Sequence, residues 1–169
     1  MIQFNRTFMA FAAVAALGGL AIAQPAGADE RMAIRTMIAA EARAMDFPVS
    51  LALAVAEAES AFDAKAESHK GARGVMQIMP ATSIGEYGLH PDVLWDPRIN
   101  IRMGIHFLKR LLARYRGRTD LALSYYNGGS AVGVWPDAKV MPATSGYVSQ
   151  VQRLQFDYQQ RLITGEEAL

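Results

Sequence analysis

The sequence predicts a mainly α-helical protein with a single globular domain of about six helices. Apolar residues recur at helical spacing in several stretches, and glycine or proline separates those stretches. No segment shows the alternation of apolar and polar residues that is typical of a half-buried strand, and no internal repeat is present. The 169 residues suffice for one domain with a hydrophobic core and are too few for two ordinary domains.

The first three helices are predicted in the N-terminal half. Apolar residues between Asp29 and Ala44 have near-helical spacing, and Asp46-Phe47-Pro48 ends this amphipathic helix. The alanine-rich stretch from Leu51 to Phe62 has almost no turn former, so its summed helix propensity is high. After a polar loop over 65–74, Pro80 begins a short helix that continues to Glu86.

Three further helices are predicted in the C-terminal half. Asp96-Pro97 is typical of a capped helix start, and an apolar stripe follows as far as Gly117. A helix from Thr119 to Tyr125 or Tyr126 is ended by Asn127-Gly128-Gly129, which favours positive φ. The last helix is predicted from about Ser145 to Leu162.

Residues 1–28 have the pattern of a secretory signal peptide, which leaves 29–169 as the mature domain. Arg6 precedes an apolar run from Phe8 to Ala23, and small residues offer cleavage before Gln24 or, as we prefer, after Ala28. The alternative is an uncleaved anchor, but the run is shorter than the roughly 20 residues of a spanning helix. We therefore expect an exported, periplasmic protein that is soluble after signal removal.

Composition excludes several classes of site and partner. The absence of cysteine excludes disulfides, thiolate metal sites and a lipid-bearing cysteine. His69, His90 and His106 do not have the spacing of metal ligands, so neither a metal nor another cofactor is expected. Basic residues exceed acidic ones by one, and nothing resembles a nucleic-acid-binding surface.

One carboxyl group of the second helix lies beside its apolar face. On a helical wheel the apolar residues cluster within about 40° of Leu51, whereas Glu59 lies about 80° and Glu57 about 240° away. Burial would raise the pKa of Glu59, as a general acid requires, while Glu57 is expected to be an ordinary surface carboxylate. The geometry alone leaves open a structural alternative, in which Glu59 forms a salt bridge with Arg73 or Arg43.

The motifs around Glu59 resemble those of lytic transglycosylases. Glu59-Ser60-x-Phe62 is followed by Ser68, by the glycine-containing loop from Gly71 to Gln77, and by Met79-Pro80-x-Thr82. The remaining matches follow in order: Asp96-Pro97, Asn100-Ile101, Gly104, Ala122-Leu123, Tyr126-Asn127-x-Gly129, Pro142 and Tyr147-Val148. This ordered series is similar to the SLT-type enzymes, which are related to glycoside hydrolase family 23. Departures are mild: Val75 replaces the usual leucine, Phe107 a frequent tyrosine and Gly128 a frequent alanine.

The resemblance implies a lysozyme-like fold of the goose type and a reaction on peptidoglycan glycan strands. Enzymes of this family cut the β-1,4 bond between N-acetylmuramic acid and N-acetylglucosamine without water and leave a 1,6-anhydromuramyl end. By similarity, Glu59 is the single catalytic residue, first as acid and then as base. The substrate-binding residues implied are Ser68, Met76, Gln77, Tyr126, Asn127 and Tyr147.

Several of these positions have a second interpretation. Asn127 is also suited to cap a helix, and Tyr147, which the resemblance places in hydrogen-bond contact with Glu59, could be an ordinary half-buried core residue. Met79 is interpreted as core and Met76 as lining the cleft. Two functions remain as alternatives: a hydrolytic muramidase, which needs a second carboxylate such as Asp63, and a weakly active glycan-binding module of an envelope-spanning secretion or flagellar complex.

Overall fold

A computed structural model describes residues 26–167 and 169 of the chain. Within these residues the fold contains six α-helices and no extended strand, so the predicted mainly helical class is confirmed. Their bounds are α1 Ala26–Ala44, α2 Val49–Ser60, α3 Pro80–Tyr87, α4 Pro97–Arg114, α5 Thr119–Gly128 and α6 Ser145–Thr164. Three short 3₁₀ helices, Pro91–Trp95, Gly129–Val132 and Pro142–Thr144, lie between them.

The central element is α2, whose residues 50–56 are all buried. A helix that is apolar on every side must be covered on every side, and α2 packs chiefly against α6 and α1. The helix ends where Ala61 and Phe62 adopt left-handed backbone angles, with φ of 50° and 66°. This turn directs Phe62 into the core and leads the chain into the long connection that faces Glu59.

Helix α4 begins with a capped first turn. The Asp96 side chain accepts a hydrogen bond from the backbone N–H of Ile99, and Pro97 occupies the first turn, as the sequence predicts. One face of α4 is apolar and buried, and it packs against α1 and α5. Helix α5 in turn contacts α6.

The observed helix boundaries differ from the predicted ones by two to three residues at several ends. The first helix begins at Ala26 rather than Asp29, and the second spans Val49–Ser60 rather than 51–62. The fourth ends at Arg114, because Arg116 and Gly117 have positive φ. The turn Pro91–Trp95 was not predicted, since its five residues are too few for a periodic pattern.

The predicted signal peptide lies outside the described residues except for Ala26 to Ala28, which form the first turn of α1. Among the helices of the described part, none combines the length and the apolar character that crossing a bilayer requires.

Candidate active site

Glu59 occupies the last turn of α2, where its half-buried carboxyl group faces a cleft of about 270 Å³. Burial raises its pKa from the ordinary value of 4.5 to about 7. The hydroxyl of Tyr147, in the first turn of α6, donates a 2.6 Å hydrogen bond to Oε1 of Glu59 and opposes part of this rise. This is the contact that the sequence resemblance implies, and it leaves a carboxyl group that exchanges its proton near neutral pH.

Glu59 does not take part in an ion pair with any described residue, so the salt-bridge interpretation is wrong for this structure. Arg73 instead lies 3.3 Å from Asp92 and 3.7 Å from Glu67. A guanidinium N–H of Arg43 donates to the backbone carbonyl of Leu169.

The helical wheel predicted that Glu57 is an ordinary surface carboxylate, and the structure shows that this prediction is wrong. Its side chain is half-buried, and the hydroxyl of Tyr158 donates to its Oε2. The wheel failed because it placed Glu57 opposite the apolar stripe, whereas α6 runs along α2 and covers that side too. Both glutamates of the last turn of α2 therefore accept a hydrogen bond from a tyrosine of α6.

The loop over 71–77, which lies opposite Glu59, is held in place by the side chain of Asn100, which has no exposed surface. Its Nδ2 donates to the carbonyls of Arg73 at 2.8 Å and Leu94 at 3.0 Å, and its Oδ1 accepts from the N–H of Met76 at 2.7 Å. Three hydrogen bonds from one buried amide fix the position of the backbone over 73–76.

Two glycines let this loop pack closely. A Cβ at Gly74 would lie 2.5 Å from Nδ2 of Asn100, and the φ of Gly74 is +73°. A Cβ at Gly104 of α4 would lie 2.6 Å from Cβ of Met76. Neither position accepts a larger residue without movement of the loop.

Gln77 projects from this loop into the cleft with strained backbone geometry. Its φ is 47°, in the left-handed region that non-glycine residues rarely adopt. The side-chain amide compensates, because Nε2 donates to the carbonyls of Ala66 and Gly74 at 3.0 Å each. Its Oε1 accepts no hydrogen bond from the described residues, which leaves an acceptor beside Glu59.

Ser68 shapes the other edge of the cleft. Its Oγ accepts a 3.0 Å hydrogen bond from the N–H of Ala72, and its backbone carbonyl accepts one from Gly71. The hydroxyl hydrogen keeps its ability to donate, since the oxygen acts here as acceptor.

The structure exchanges the predicted roles of two methionines. Met76 has no exposed surface and packs under Gly104, so its side chain cannot line the cleft. Met79 was interpreted as core, yet it is 38% exposed and lines the cleft. The cause is the turn over 74–77, which directs Met76 inward and which the sequence pattern did not reveal.

Tyr126 and Asn127 both line the cleft from the last turn of α5. The hydroxyl of Tyr126 donates a 2.8 Å hydrogen bond to the carbonyl of Met76, so this tyrosine also holds the loop. Burial, and then the charge of Glu59, raise the pKa of Tyr126 and of Tyr147 well above the usual range, which keeps both hydroxyls protonated. Asn127 is exposed inside the helix, and the cap position falls to Gly129.

Sequence reasoning missed His69 and Lys70 as cleft residues. Both lie in the predicted polar loop, where most side chains are simply solvated, and no periodic pattern marks them. It also gave Asn100 no function. The signal was its place in an otherwise apolar stripe between Ile99 and Ile101, where a buried amide needs hydrogen-bond partners.

Comparison with known proteins agrees with this geometry. A family model described as the transglycosylase SLT domain matches residues 36–139, which include Glu59 and the loop but not Tyr147. The soluble lytic murein transglycosylase of Escherichia coli (strain K12) is 36% identical over 92 residues. The match covers 50% of this chain and 14% of that protein, so this chain spans a small part of its relative's length.

Solved structures give the same fold. An inactive mutant of lytic transglycosylase Slt from Pseudomonas aeruginosa has a TM-score of 0.66 and 29% identity, covering 78% of this chain and 24% of that one. The 70 kDa soluble lytic transglycosylase from Escherichia coli has a TM-score of 0.63 and 25% identity, covering 77% of this chain and 24% of that one. The lysozyme-like fold is thereby confirmed, and the chain belongs to the transglycosylase SLT domain family.

Proposed function

We propose that this protein is a peptidoglycan lytic transglycosylase that uses Glu59 as its one catalytic carboxyl group. The observation that carries the proposal is the half-buried Glu59, which burial keeps protonated up to about pH 7 while Tyr147 orients it. Among the described residues lining the cleft, Glu59 is the sole carboxylate. Asp63 lies elsewhere, and its Oδ1 accepts a hydrogen bond from the N–H of Lys65.

A single carboxyl group can perform both proton transfers of this reaction. Glu59 donates its proton to the glycosidic oxygen as the bond from that oxygen to C1 of N-acetylmuramic acid breaks. The acetamido oxygen of the same sugar supports the positive charge at C1. The Glu59 carboxylate then removes the proton of the C6 hydroxyl while O6 bonds to C1, which restores the acid and forms the 1,6-anhydro ring without water.

The remaining cleft residues would bind the glycan strand. The acceptor of Gln77, the hydroxyl of Ser68 and the amide of Asn127 suit sugar hydroxyl and acetamido groups. The ring of Tyr126 and the exposed thioether of Met79 provide apolar contact for a sugar face. Tyr147 acts through Glu59 rather than through the sugar, and Met76 has no direct contact.

We further propose that residues 29–169 form the mature, periplasmic enzyme once a signal peptide over 1–28 is removed. Peptidoglycan lies outside the cytoplasmic membrane, so an enzyme that acts on it must be exported. N-terminal sequencing of the secreted product tests the cleavage site, with Asp29 as the expected first residue.

Mass analysis of peptidoglycan digests tests the reaction. The wild-type protein should release muropeptides with anhydro ends, which are lighter by one water molecule than reducing ends. Glu59→Gln should lose about 10²- to 10⁴-fold in rate, the usual contribution of general acid–base catalysis. Glu57→Gln is the matched control on the same helical turn and should keep most of the activity.

Two results would contradict the proposal, and each would support one of the alternative functions. Reducing ends alone would show a hydrolytic muramidase. Absence of cleavage by the wild type, together with retained glycan binding, would show a binding module of an envelope secretion or flagellar complex. The relative from Pseudomonas aeruginosa favours catalysis, because its inactive mutant has a glutamate replaced by glutamine.

A further inference from the structure

A second concave surface lies beside the N-terminal half of α4, and it shares no residue with the cleft. We call it the α4 groove. Its volume is about 480 Å³, and its lining residues are Met45, Tyr87, Leu89, Arg98, Ile99, Arg102, Met103 and His106. Leu89 and Ile99 at its edge are 41% and 37% exposed, so apolar surface faces solvent in this chain.

The rim of the α4 groove carries unbalanced positive charge. Arg98 and Arg102 both point to Glu41 of α1, with N–O distances of 2.6 Å and 3.6 Å. One carboxylate cannot neutralise two guanidinium groups. The Glu41 side chain is 5% exposed, whereas each arginine side chain is 61% exposed, so the surplus charge faces solvent.

The positive charge continues along α4. The helix contains no acidic residue, and Arg98, Arg102 and Lys109 lie within about 40° of one another on the helix circumference. The whole chain has a formal net charge of only +1, so this stripe is a local asymmetry rather than a general property.

We propose that the α4 groove docks an acidic segment of a partner protein. An apolar side chain of the segment enters the groove, and carboxylates beside it pair with Arg98 and Arg102. Methionines at positions 45 and 103 can adjust to the shape of the entering side chain. Apolar anchoring supplies binding energy, while the charged rim selects and orients the partner.

The shape of the surface favours a protein segment over a lipid surface. A membrane is contacted by protruding apolar side chains, whereas here the apolar side chains line a recess that receives one. Because Glu59 lies in a separate cleft, a docked segment would leave that cleft open. The inference does not depend on the proposed catalytic reaction.

Fluorescence anisotropy with the intact protein and three labelled synthetic helical peptides tests the docking. The first peptide carries Leu on one helical face with Glu at the positions flanking that face, the second replaces each Glu by Lys, and the third replaces each Leu by Ala. The Glu–Leu peptide should bind at least about tenfold more tightly than either other peptide. Its affinity should fall as salt concentration rises, because screening weakens pairing with exposed arginines.

A matched pair of variants locates the binding. Ile99→Glu places a carboxylate at the mouth of the groove and should weaken binding of the Glu–Leu peptide at least about tenfold. Ile84→Glu changes an exposed isoleucine on α3, outside the groove, and should leave affinity unchanged. Leu89→Glu gives a second disruption on a loop if Ile99→Glu fails to fold, which circular dichroism reports.

The docking proposal is overturned if the three peptides bind alike, or if disrupted and control variants bind alike. It is also overturned if no peptide reaches a Kd below about 1 mM. Binding to phosphatidylglycerol vesicles in place of the peptides, lost in Ile99→Glu, would instead identify the groove as a membrane-contact surface. Glycan cleavage by Ile99→Glu is measured in parallel, so that failure of docking and failure of catalysis are distinguished.

Discussion

Two opposing influences set the proton affinity of Glu59. Burial removes water from the carboxylate and raises its pKa, while the hydroxyl of Tyr147 donates to the charged form and lowers it. Burial has the larger effect, so the pKa lies at about 7. A group at that value can give up its proton in one step and recover it in the next.

Tyr147→Phe should change both the rate and its pH dependence. Loss of the hydrogen bond should lower kcat by about tenfold to a hundredfold, the equivalent of one hydrogen bond to a charged group. In the wild type, activity should fall as pH rises above about 7, where Glu59 loses its proton. The variant should shift this fall to higher pH, because the influence that lowers the pKa is gone.

The control for this experiment is Tyr158→Phe, which removes the hydroxyl that bonds Glu57 on the same pair of helices. It should leave the pH at which activity falls unchanged. If Tyr147→Phe also left that pH unchanged, Tyr147 would be a packing residue and not a positioning residue for Glu59.

Glu59→Gln should stabilise the protein at alkaline pH. Because the folded pKa is raised to about 7 from 4.5, the folded state retains a proton that the unfolded state has lost between these values. Stability contributed by the protonated acid is therefore present at low pH and declines as pH rises to about 7. The neutral amide avoids this loss, so the free energy of unfolding should exceed that of the wild type by up to about 3 kcal/mol near pH 8.

Urea denaturation of both proteins at about pH 4 and about pH 8 measures the difference. At the lower pH the two should be nearly equal, because most of the native acid is then neutral. An equal difference at both pH values would mean that packing, not ionisation, distinguishes the variants.

Single residues were predictable where the apolar pattern of one helix sufficed. The wheel located Glu59 beside the core because that depends only on α2 itself. It misjudged Glu57, whose partner Tyr158 is 101 residues away in sequence. Met76 and Met79 were exchanged for a related reason, since a non-periodic turn decides which side chain faces inward.

Among the elements, the connection between α2 and α3 depends most on a distant residue. The side chain of Asn100 in α4 forms hydrogen bonds with the backbone of Arg73 and of Met76, within the turn of this connection. Gly74 and Gly104 permit the close approach of the turn to α4. Helices were predicted to within a few residues because most have their own apolar period and α2 has a high helix propensity. This connection has none, and the amide that supports it lies on another helix.

Asn100→Ala should lower the free energy of unfolding by roughly 2 to 4 kcal/mol, because buried backbone groups of Arg73, Leu94 and Met76 lose their partner. Urea denaturation measures the loss. Asn127→Ala is the control, because this amide is exposed and its loss should change the free energy of unfolding by no more than about 0.5 kcal/mol. A small effect of Asn100→Ala would show that water replaces the amide and that the turn is held by other contacts.

For the whole molecule, α2 connects the packing of α1 with that of α6. The order and number of helices followed from the sequence, because α2 has a high helix propensity and most other helices have an amphipathic pattern that tells which face is buried. Which helix covers that face did not follow, since periodicity carries no information on partners. Only the structure shows that α2 packs against α6, which comes from a distant part of the chain.

Leu53→Ala should therefore weaken the entire domain rather than one end. Leu53 has no exposed surface, and removal of its side chain should cost about 2 to 5 kcal/mol. Thermal and urea unfolding should remain a single transition at a lower midpoint. Phe156→Ala removes a side chain that is 61% exposed on α6 and should change stability by no more than about 0.5 kcal/mol. Two separate transitions for Leu53→Ala would contradict a shared core.

The hydrogen bond between Tyr147 and Glu59 joins residues 88 positions apart, one on α2 and the other on α6. A chain that lacked α6 would contain Glu59 and the loop opposite it. It would have neither the packing of α6 on α2 that helps to bury the carboxyl group nor the Tyr147 hydroxyl that orients it. Under the proposed mechanism, Glu59 therefore becomes a competent acid only after α6 has packed against α2.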